Sequence, residues 1–378
     1  MTIMFYGGPM DYRDKELAKK IVNYSCSVQK GEKVLIECSE TSDYFQKCLI
    51  EEIYAVGGMP FVRPFDKKVK KAIIMGSNEK FMKAWAEWDE KFMDDMDAVI
   101  LIFGDNNIFE YSDIPREKME IYENIYVKRV HLDVRVKKKW VLLRYPTPSF
   151  AQNSKMSTEK FTDYFYKVCN LDYAHMCKCM DPLKNLMEKT DQVKIIAKDT
   201  KLTFSIKGIP AVKCCGECNI PDGELYTAPV KDSINGYITF NIPTIYNGIE
   251  HRDIKLTFKN GKIVEASSNN SDKLLEVLET DEGSRYIGEF SFGLNPYINT
   301  PILDILFDEK MCDSIHMAVG GCYDDAYNGN KSAVHWDLIQ SHNPEFGGGE
   351  IYFDDVLIRK NGRFIPNELV ALNKENLV

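Results

Sequence analysis

Two of the six histidines, His131, His175, His251, His316, His335 and His342, stand where chemistry is possible. In Val334-His335-Trp336-Asp337, strand alternation puts His335 and Asp337 on one face and Trp336 on the other. A nitrogen and a carboxylate two residues apart on a strand can reach one metal ion, or they can simply hydrogen-bond each other. In Ser314-Ile315-His316-Met317-Ala318-Val319-Gly320-Gly321 a strand runs into a glycine turn, with His316 polar amid small and apolar residues. A buried histidine needs a partner, whether backbone or ligand. Carboxylates are too plentiful for pattern alone to choose among them. Glu224 stands just before Thr227-Ala228-Pro229, and Glu289 sits between Gly288 and Phe290 in a segment of small and apolar residues. A solvent-facing role is the alternative for both.

The chain has 11 cysteines, an odd number, and most, such as Cys38, Cys48 and Cys169, sit in apolar or helical contexts. Disulfides persist mainly outside the cytosol, so these read as reduced, mostly buried thiols. The tightest group is Cys214, Cys215 and Cys218. A structural zinc site needs two such pairs, and the one-residue spacing of Cys177 and Cys179 makes a poor second.

The elements that must position these residues fall into two textures. Asp14–Val28 shows apolar residues at helical spacing. Lys33–Cys38 is a strand and Tyr44–Ala55 a helix ended by Gly57-Gly58. Met59–Phe65 is a second strand, Asn78–Asp94 a helix, Asp97–Gly104 a nearly all-apolar strand, Trp140–Tyr145 a fourth strand and Ser157–Cys169 a helix. Such alternation predicts an α/β domain with a largely parallel sheet buried on both faces. From about Gln192 short β-rich segments take over: Val193–Ala197, Lys201–Ile206, Gly236–Asn241, Lys255–Phe258 and Lys262–Ala266. Asn260-Gly261 supplies the two positive φ values of a type I′ hairpin. Helices are expected at Ser271–Glu279 and Pro301–Lys310. The reading is an α/β domain over residues 1–188 and an α+β domain over 189–378 that carries the site, joined near Lys189.

Length and composition fit this division. A chain of 378 residues is too long for one ordinary core, and 44% apolar residues supply enough interior for two. The net charge of −9 argues against nucleic acid, which needs a basic face to displace counterions. The local run Lys67-Lys68-Val69-Lys70-Lys71 reads as a solvated helix face. No apolar run approaches the ~20 residues that span a bilayer, and Met1–Asp14 lacks the apolar core of a signal peptide, so a cytoplasmic protein is expected. The turn Ser39-Glu40-Thr41-Ser42-Asp43 after the first strand has no glycines for a pyrophosphate, which excludes a dinucleotide fingerprint there.

Several dispersed stretches share one likeness: Tyr145-Pro146-Thr147-Pro148 with Ala151-Gln152, Cys169-Asn170-Leu171-Asp172, Pro221-Asp222-Gly223-Glu224 with Thr227-Ala228-Pro229, and Thr280-Asp281-Glu282-Gly283. Gly288-Glu289, Leu306-Phe307-Asp308-Glu309-Lys310, His316-Met317-Ala318-Val319-Gly320 with Tyr323, and Ser332-Ala333-Val334-His335-Trp336-Asp337 continue it. In order and spacing the chain resembles the aminopeptidase T and aminopeptidase S family of bacterial metallopeptidases, most strongly from Tyr145 to Leu338. The resemblance implies an N-terminal α/β domain, a C-terminal domain with a dinuclear metal centre, and metal ligands at Glu224, Glu289, His316, Tyr323, His335 and Asp337. It further implies peptide substrates with a free N-terminus and a homodimer. Cys322, beside Tyr323, departs from the pattern and could compete as a soft ligand.

Carboxylates and imidazoles suit two divalent ions such as Zn, Co or Mn. Two ions about 4 Å apart can make hydroxide from water, polarise the scissile carbonyl and bind the free α-amine. A short carboxylate such as Asp337 would bridge them. Glu289 would be the general base, and Tyr323 would ligate or donate to the oxyanion. The alternative is a catalytically weakened protein that still binds metal and peptide.

Overall fold

The computed structural model describes residues 11–378, so most of the stretch inspected for a targeting signal lies outside the described residues. The chain divides into two compact units: residues 11–170 with Gly216–Ile220 among the described residues, and Leu171–Cys215 with Pro221–Val378. The division comes earlier than the expected junction near Lys189. The reason is the helix Tyr173–Met187, which packs on the second unit through the strand Val212–Cys214 and the 3-10 segment Asn367–Leu372. Pro182 lies inside that helix. A helix-interior proline removes a donor and crowds the preceding turn, so Pro182 argues locally against the helix that forms.

In the first unit five strands lie in the order Met59–Phe65, Lys33–Ser39, Ala98–Phe103, Lys139–Arg144 and Asn219–Ile220. Every pairing is parallel. The Ala98–Phe103 strand is buried at all but its last residue, as a strand covered on both faces must be. Leu35, Val99 and Leu101 meet Ile74, Met82, Ala86 and Met93 from two helices in one apolar cluster. Those helices start where the sequence offers caps: the Asp66 side chain accepts from the backbone of Lys68 and Val69, and that of Asn78 from Phe81. The lysine-rich stretch is helical, but it is not simply a solvated face. Lys67 pairs with Asp105 at 2.6 Å and Lys71 with Asp113 at 2.5 Å, while Lys70 lies over the Phe65 ring at 4.8 Å. A π-helical segment, Tyr122–Leu132, was not anticipated.

The second unit contains two antiparallel sheets and a two-stranded ribbon. The larger runs Lys262–Ser267, Ile254–Lys259, Asn235–Phe240, Thr200–Ser205, Gln192–Ala197, Gly349–Phe353, Val356–Lys360 and Arg363–Phe364. Its first hairpin turns at Asn260 (φ 50°) and Gly261 (φ 79°), the values a type I′ turn requires. The smaller sheet has the order His335–Ser341, Ser314–Gly320, Ile287–Gly293, Glu224–Thr227 and Val212–Cys214. Its apolar face meets the larger sheet, with the Phe290 ring 5.0 Å from Phe204 and Phe292 6.1 Å from Phe353. One expected helix shrinks: only Ile305–Asp308 of Pro301–Lys310 is helical. There Asp308 instead accepts from the backbone of Ile302 (2.8 Å) and Leu303 (2.9 Å), folding the preceding residues into a loop.

Candidate metal centre

The smaller sheet assembles the site by register. In an antiparallel pair, directly opposed residues point to the same face, and so do residues two apart on one strand. His335 and Asp337 therefore share a face, opposite Gly320 and Ala318. His316 lies on that face too, opposite Ser291, and Gly293 on the Ser291 strand opposes Glu224. The same alternation sends Trp336 to the other side, where it is 2% exposed and stacks on Tyr246 at 4.6 Å.

Glu289 reaches this face by the same alternation, two residues before Ser291 and opposite Ala318, and a β-bulge adjoins it, the register shifting between Ile287 and Glu289. Bulges re-aim side chains beside active sites. Gly288 makes this one possible, because a Cβ there would lie 2.2 Å from the Gly321 oxygen. Gly320 ends the neighbouring strand at φ 106°, where a Cβ would lie 2.1 Å from the Val334 oxygen, so the chain can turn closely beside His335. The loop that follows is held by Asn330, whose side-chain amide donates to Gly283 O (2.8 Å) and Gly320 O (2.6 Å). Asp325 on that loop accepts from the Tyr226 hydroxyl at 2.8 Å.

The result is two linked donor groups, Glu224–Glu289–His316 and Glu289–His335–Asp337, each with ligand atoms within 4.8 Å of one another. Nε2 of His316 lies 3.0 Å from Glu289 Oε1 and 3.1 Å from Glu224 Oε2. Nε2 of His335 lies 3.5 Å from both Glu289 Oε2 and Asp337 Oδ1. Glu289 thus sends one oxygen to each histidine and is the carboxylate common to both groups. Asp337, expected as the bridge, belongs to one group only. Glu289, expected as the general base, has neither oxygen uncommitted.

The residues fit metal ions on three counts. His335 donates from Nδ1 to Gly321 O at 2.9 Å, which fixes the tautomer and leaves the Nε2 lone pair aimed into the group. His335 Nε2 and Asp337 Oδ1 are buried without a hydrogen-bond partner, as is Nδ1 of His316. Unsatisfied buried polar atoms carry a penalty that a bound cation would remove at the first two. Electrostatics point the same way. Burial would lower the His335 pKa, but Asp337 and Glu289 outweigh it and lift it to about 12. Burial is likewise overcome at His316, where Glu224 and Glu289 raise the pKa well above its ordinary value. The field demands positive charge where both imidazoles sit.

Tyr323 lies beside this cluster, its ring 4.7 Å from that of His335. Its residue surface is 48% exposed, but the hydroxyl end is enclosed. Burial there, then the charges of Glu289 and Asp337, push its pKa well up and keep it protonated. Cys322 does not join the donors: its thiol donates to Asn330 O at 3.1 Å. A third group, Cys214–Asp222–Glu224, shares Glu224, but burial and the neighbouring carboxylates hold the Cys214 thiol protonated. All 11 cysteines are free.

Sequence reading gave no role to Glu309 and Lys310. Lys310 is 1% exposed, and its ammonium donates to Glu224 Oε1 at 2.7 Å and to Glu309 Oε1. Burial raises the Glu224 pKa, but Lys310 first and His316 next pull it down to about 2. Burial pushes that of Glu309 up to about 8 against the pull of Lys310. An acid–base pair at a helix end ordinarily reads as surface, and no local signal marks this one as buried.

Over residues 11–364 the chain matches the family described as thermophilic metalloprotease (M29). It is 23% identical over 363 residues to aminopeptidase AmpS of Bacillus subtilis (strain 168), covering 85% of this chain and 87% of that one. The solved structure of wild-type AmpT from Thermus thermophilus is similar with a TM-score of 0.80 and 18% identity, over 94% of this chain and 99% of that one. That of 2,5-dihydroxypyridine dioxygenase from Pseudomonas putida KT2440 is similar with a TM-score of 0.63 and 13% identity, over 96% and 100%. Both structural likenesses establish the fold. Because proteins of two differently named activities share it, the chemistry must be argued from the side chains.

Proposed function

The chain belongs to the M29 family of metalloproteases, and from that premise we propose that its second unit removes N-terminal residues from peptides at a two-metal centre built from Glu224, Glu289, His316, Tyr323, His335 and Asp337. It is a metal-dependent aminopeptidase, a hydrolase, as its named relatives are. The finer reading rests on one observation above all: a single buried carboxylate, Glu289, is shared by two donor groups that each keep a histidine and a second carboxylate.

In this reading Glu224, Glu289 and His316 would hold one ion, and Glu289, His335 and Asp337 the other. When bound, Zn, Co or Mn would supply Lewis acidity that makes hydroxide from water near neutral pH, polarises the scissile carbonyl and seats the α-amine. The protein's own groups do the rest. The His335–Gly321 hydrogen bond orients the imidazole, with Nε2 turned into the group. The protonated Tyr323 hydroxyl is available to donate to the oxyanion that develops on the substrate. Lys310 occupies the Glu224 oxygen turned away from His316, so that only Oε2 is presented. The same proposal includes a homodimer working in the cytoplasm. The free thiols suit a reducing compartment, and among the described residues no helix is long and apolar enough to cross a membrane.

The test is hydrolysis of Leu-p-nitroanilide before and after exhaustive chelation, with elemental analysis of the same samples. Activity should vanish with the ions and return with Zn, Co or Mn at two equivalents per chain. Full turnover by metal-free protein would overturn the proposal, as would metal binding without any turnover.

A further inference from the structure

Catalysis by such a centre needs a group that takes a proton from the attacking water and gives it to the leaving amine. A carboxylate already committed to both donor groups serves poorly. Glu224, Glu289 and Asp337 all belong to a donor group. Among the described residues Glu309 belongs to none, yet the Lys310 ammonium donates both to Glu224 Oε1 and to Glu309 Oε1, which ties it to the same cluster; it lies in the field of Glu224, Asp337 and His316. Its side chain is 14% exposed, enclosed but open to water. One oxygen, Oε1, accepts from Lys310; the other has no hydrogen-bond partner among the described residues.

The backbone around it is fixed on both sides. Glu309 N donates to Ile305 O (3.1 Å) and Lys310 N to Phe307 O (3.0 Å), while Lys310 O accepts from Asn295 N (3.0 Å). The carboxylate of Asp308 ties down Ile302 and Leu303. The Lys310 ammonium spans Glu309 and Glu224, so the free carboxylate is set at a fixed place relative to a metal-binding one. Held in this way, Glu309 is oriented before substrate arrives, which is what a catalytic acid–base group requires.

Building on the two-metal reading above, we propose that Glu309 is the general base of the reaction and Lys310 its positioning residue. Glu309 takes a proton from water as the water oxygen bonds to the scissile carbonyl carbon. As the C–N bond breaks, the same carboxyl returns that proton to the leaving amine nitrogen, so that water and peptide become a free amino acid and a shortened peptide.

The experiment compares Glu309→Gln with the unaltered protein, both loaded with cobalt, by elemental analysis, by the visible cobalt spectrum and by steady-state hydrolysis of Leu-p-nitroanilide. Cobalt stoichiometry and spectrum should be unchanged, KM should move little, and kcat should fall about 10²–10⁴-fold. Retention of kcat within about threefold would overturn the assignment while leaving the two-metal reading intact. Loss of cobalt or an altered spectrum would overturn it too, by making Glu309 a ligand. If Glu309→Gln fails to fold, Glu309→Asp preserves the charge facing Lys310 and displaces the carboxylate by about one methylene. It should then cost kcat at least about tenfold with cobalt retained, and near-normal kcat would refute the proposal. Absence of bound cobalt in the unaltered protein would instead refute the two-metal reading itself.

Discussion

Arg63, in the first unit, stands between Glu37 at 3.1 Å and Asp89 at 2.8 Å, and Asp89 also accepts from the Tyr126 hydroxyl. Lys70 adds a second cation within the field of Glu37 and over the Phe65 and Tyr122 rings. In the second unit Glu224, Glu289, Glu309 and Asp337 converge on one permanent cation, Lys310, and two histidines left with unpartnered ring nitrogens. Both regions bury several charges. One closes its ledger with protein groups and the other does not. A buried ion pair is weak evidence of function, because it can be structural. A buried surplus of one sign, with lone pairs aimed into a common space, calls for a cation from outside.

Four measurements break or sharpen this contrast. The largest effect should come from the face of the site sheet that carries no charge. Trp336→Ala removes a ring stacked on Tyr246 and should cost about 3–5 kcal/mol in urea unfolding, with metal content held. A loss of metal at unchanged stability would mean that the two faces are not separable. Next, Arg63→Met leaves Glu37 and Asp89 facing each other in the first unit. It should cost about 3 kcal/mol, at the low end for breaking a buried pair because the Arg63 side chain is 25% exposed. Any fall in metal stoichiometry there would erase the distinction between the two clusters.

Third, Asp337→Asn keeps the shape but removes a charge from the surplus. Metal occupancy should drop and kcat should fall at least about 10²-fold, while the unfolding midpoint stays near that of the unaltered protein. Two bound ions with near-normal turnover would show that the surplus is not what binds them. The smallest effect concerns pH. Burial holds the His131 pKa in the first unit down at about 4, against an ordinary 6.5. The unfolded chain therefore takes up this proton first. Stability contributed by neutral His131 is present above 6.5 and is lost as pH falls from 6.5 towards 4, by about 2 kcal/mol between pH 7 and 5. His131→Gln should flatten that slope, and an identical slope in the variant would remove His131 as its origin.

Much of the architecture was legible because its determinants are local. The apolar run of Ala98–Phe103 announces a strand covered on both faces. Asn260-Gly261 announces its hairpin, and the alternation His335-Trp336-Asp337 places the ring in the core and the other two in the site. Other segments misled. The residues up to Asp304 looked helical but fold as a loop around Asp308, and a helix forms despite Pro182 inside it. The three C-terminal strands, Gly349–Phe353, Val356–Lys360 and Arg363–Phe364, went unread although they complete the larger sheet.

Sequence by itself determined which face of its own strand each donor takes, since side-chain direction on a strand has period two and needs no partner. The candidate ligand set came from the family resemblance, since carboxylates are too plentiful for pattern to choose among them; once named, its carboxylates and imidazoles suit divalent ions. What brings donors together across strands is register, and register is a tertiary property. The register that sets Glu289 opposite Ala318, with Ser291 on the same strand opposite His316, brings it between two histidines and makes it, rather than Asp337, the shared carboxylate. Lys310 meets Glu224 across 86 residues of chain, and that contact turns an ordinary acid–base dipeptide into a buried pair at the edge of the centre. No periodicity encodes such a meeting; it exists only once the sheet has closed on the loop that carries it.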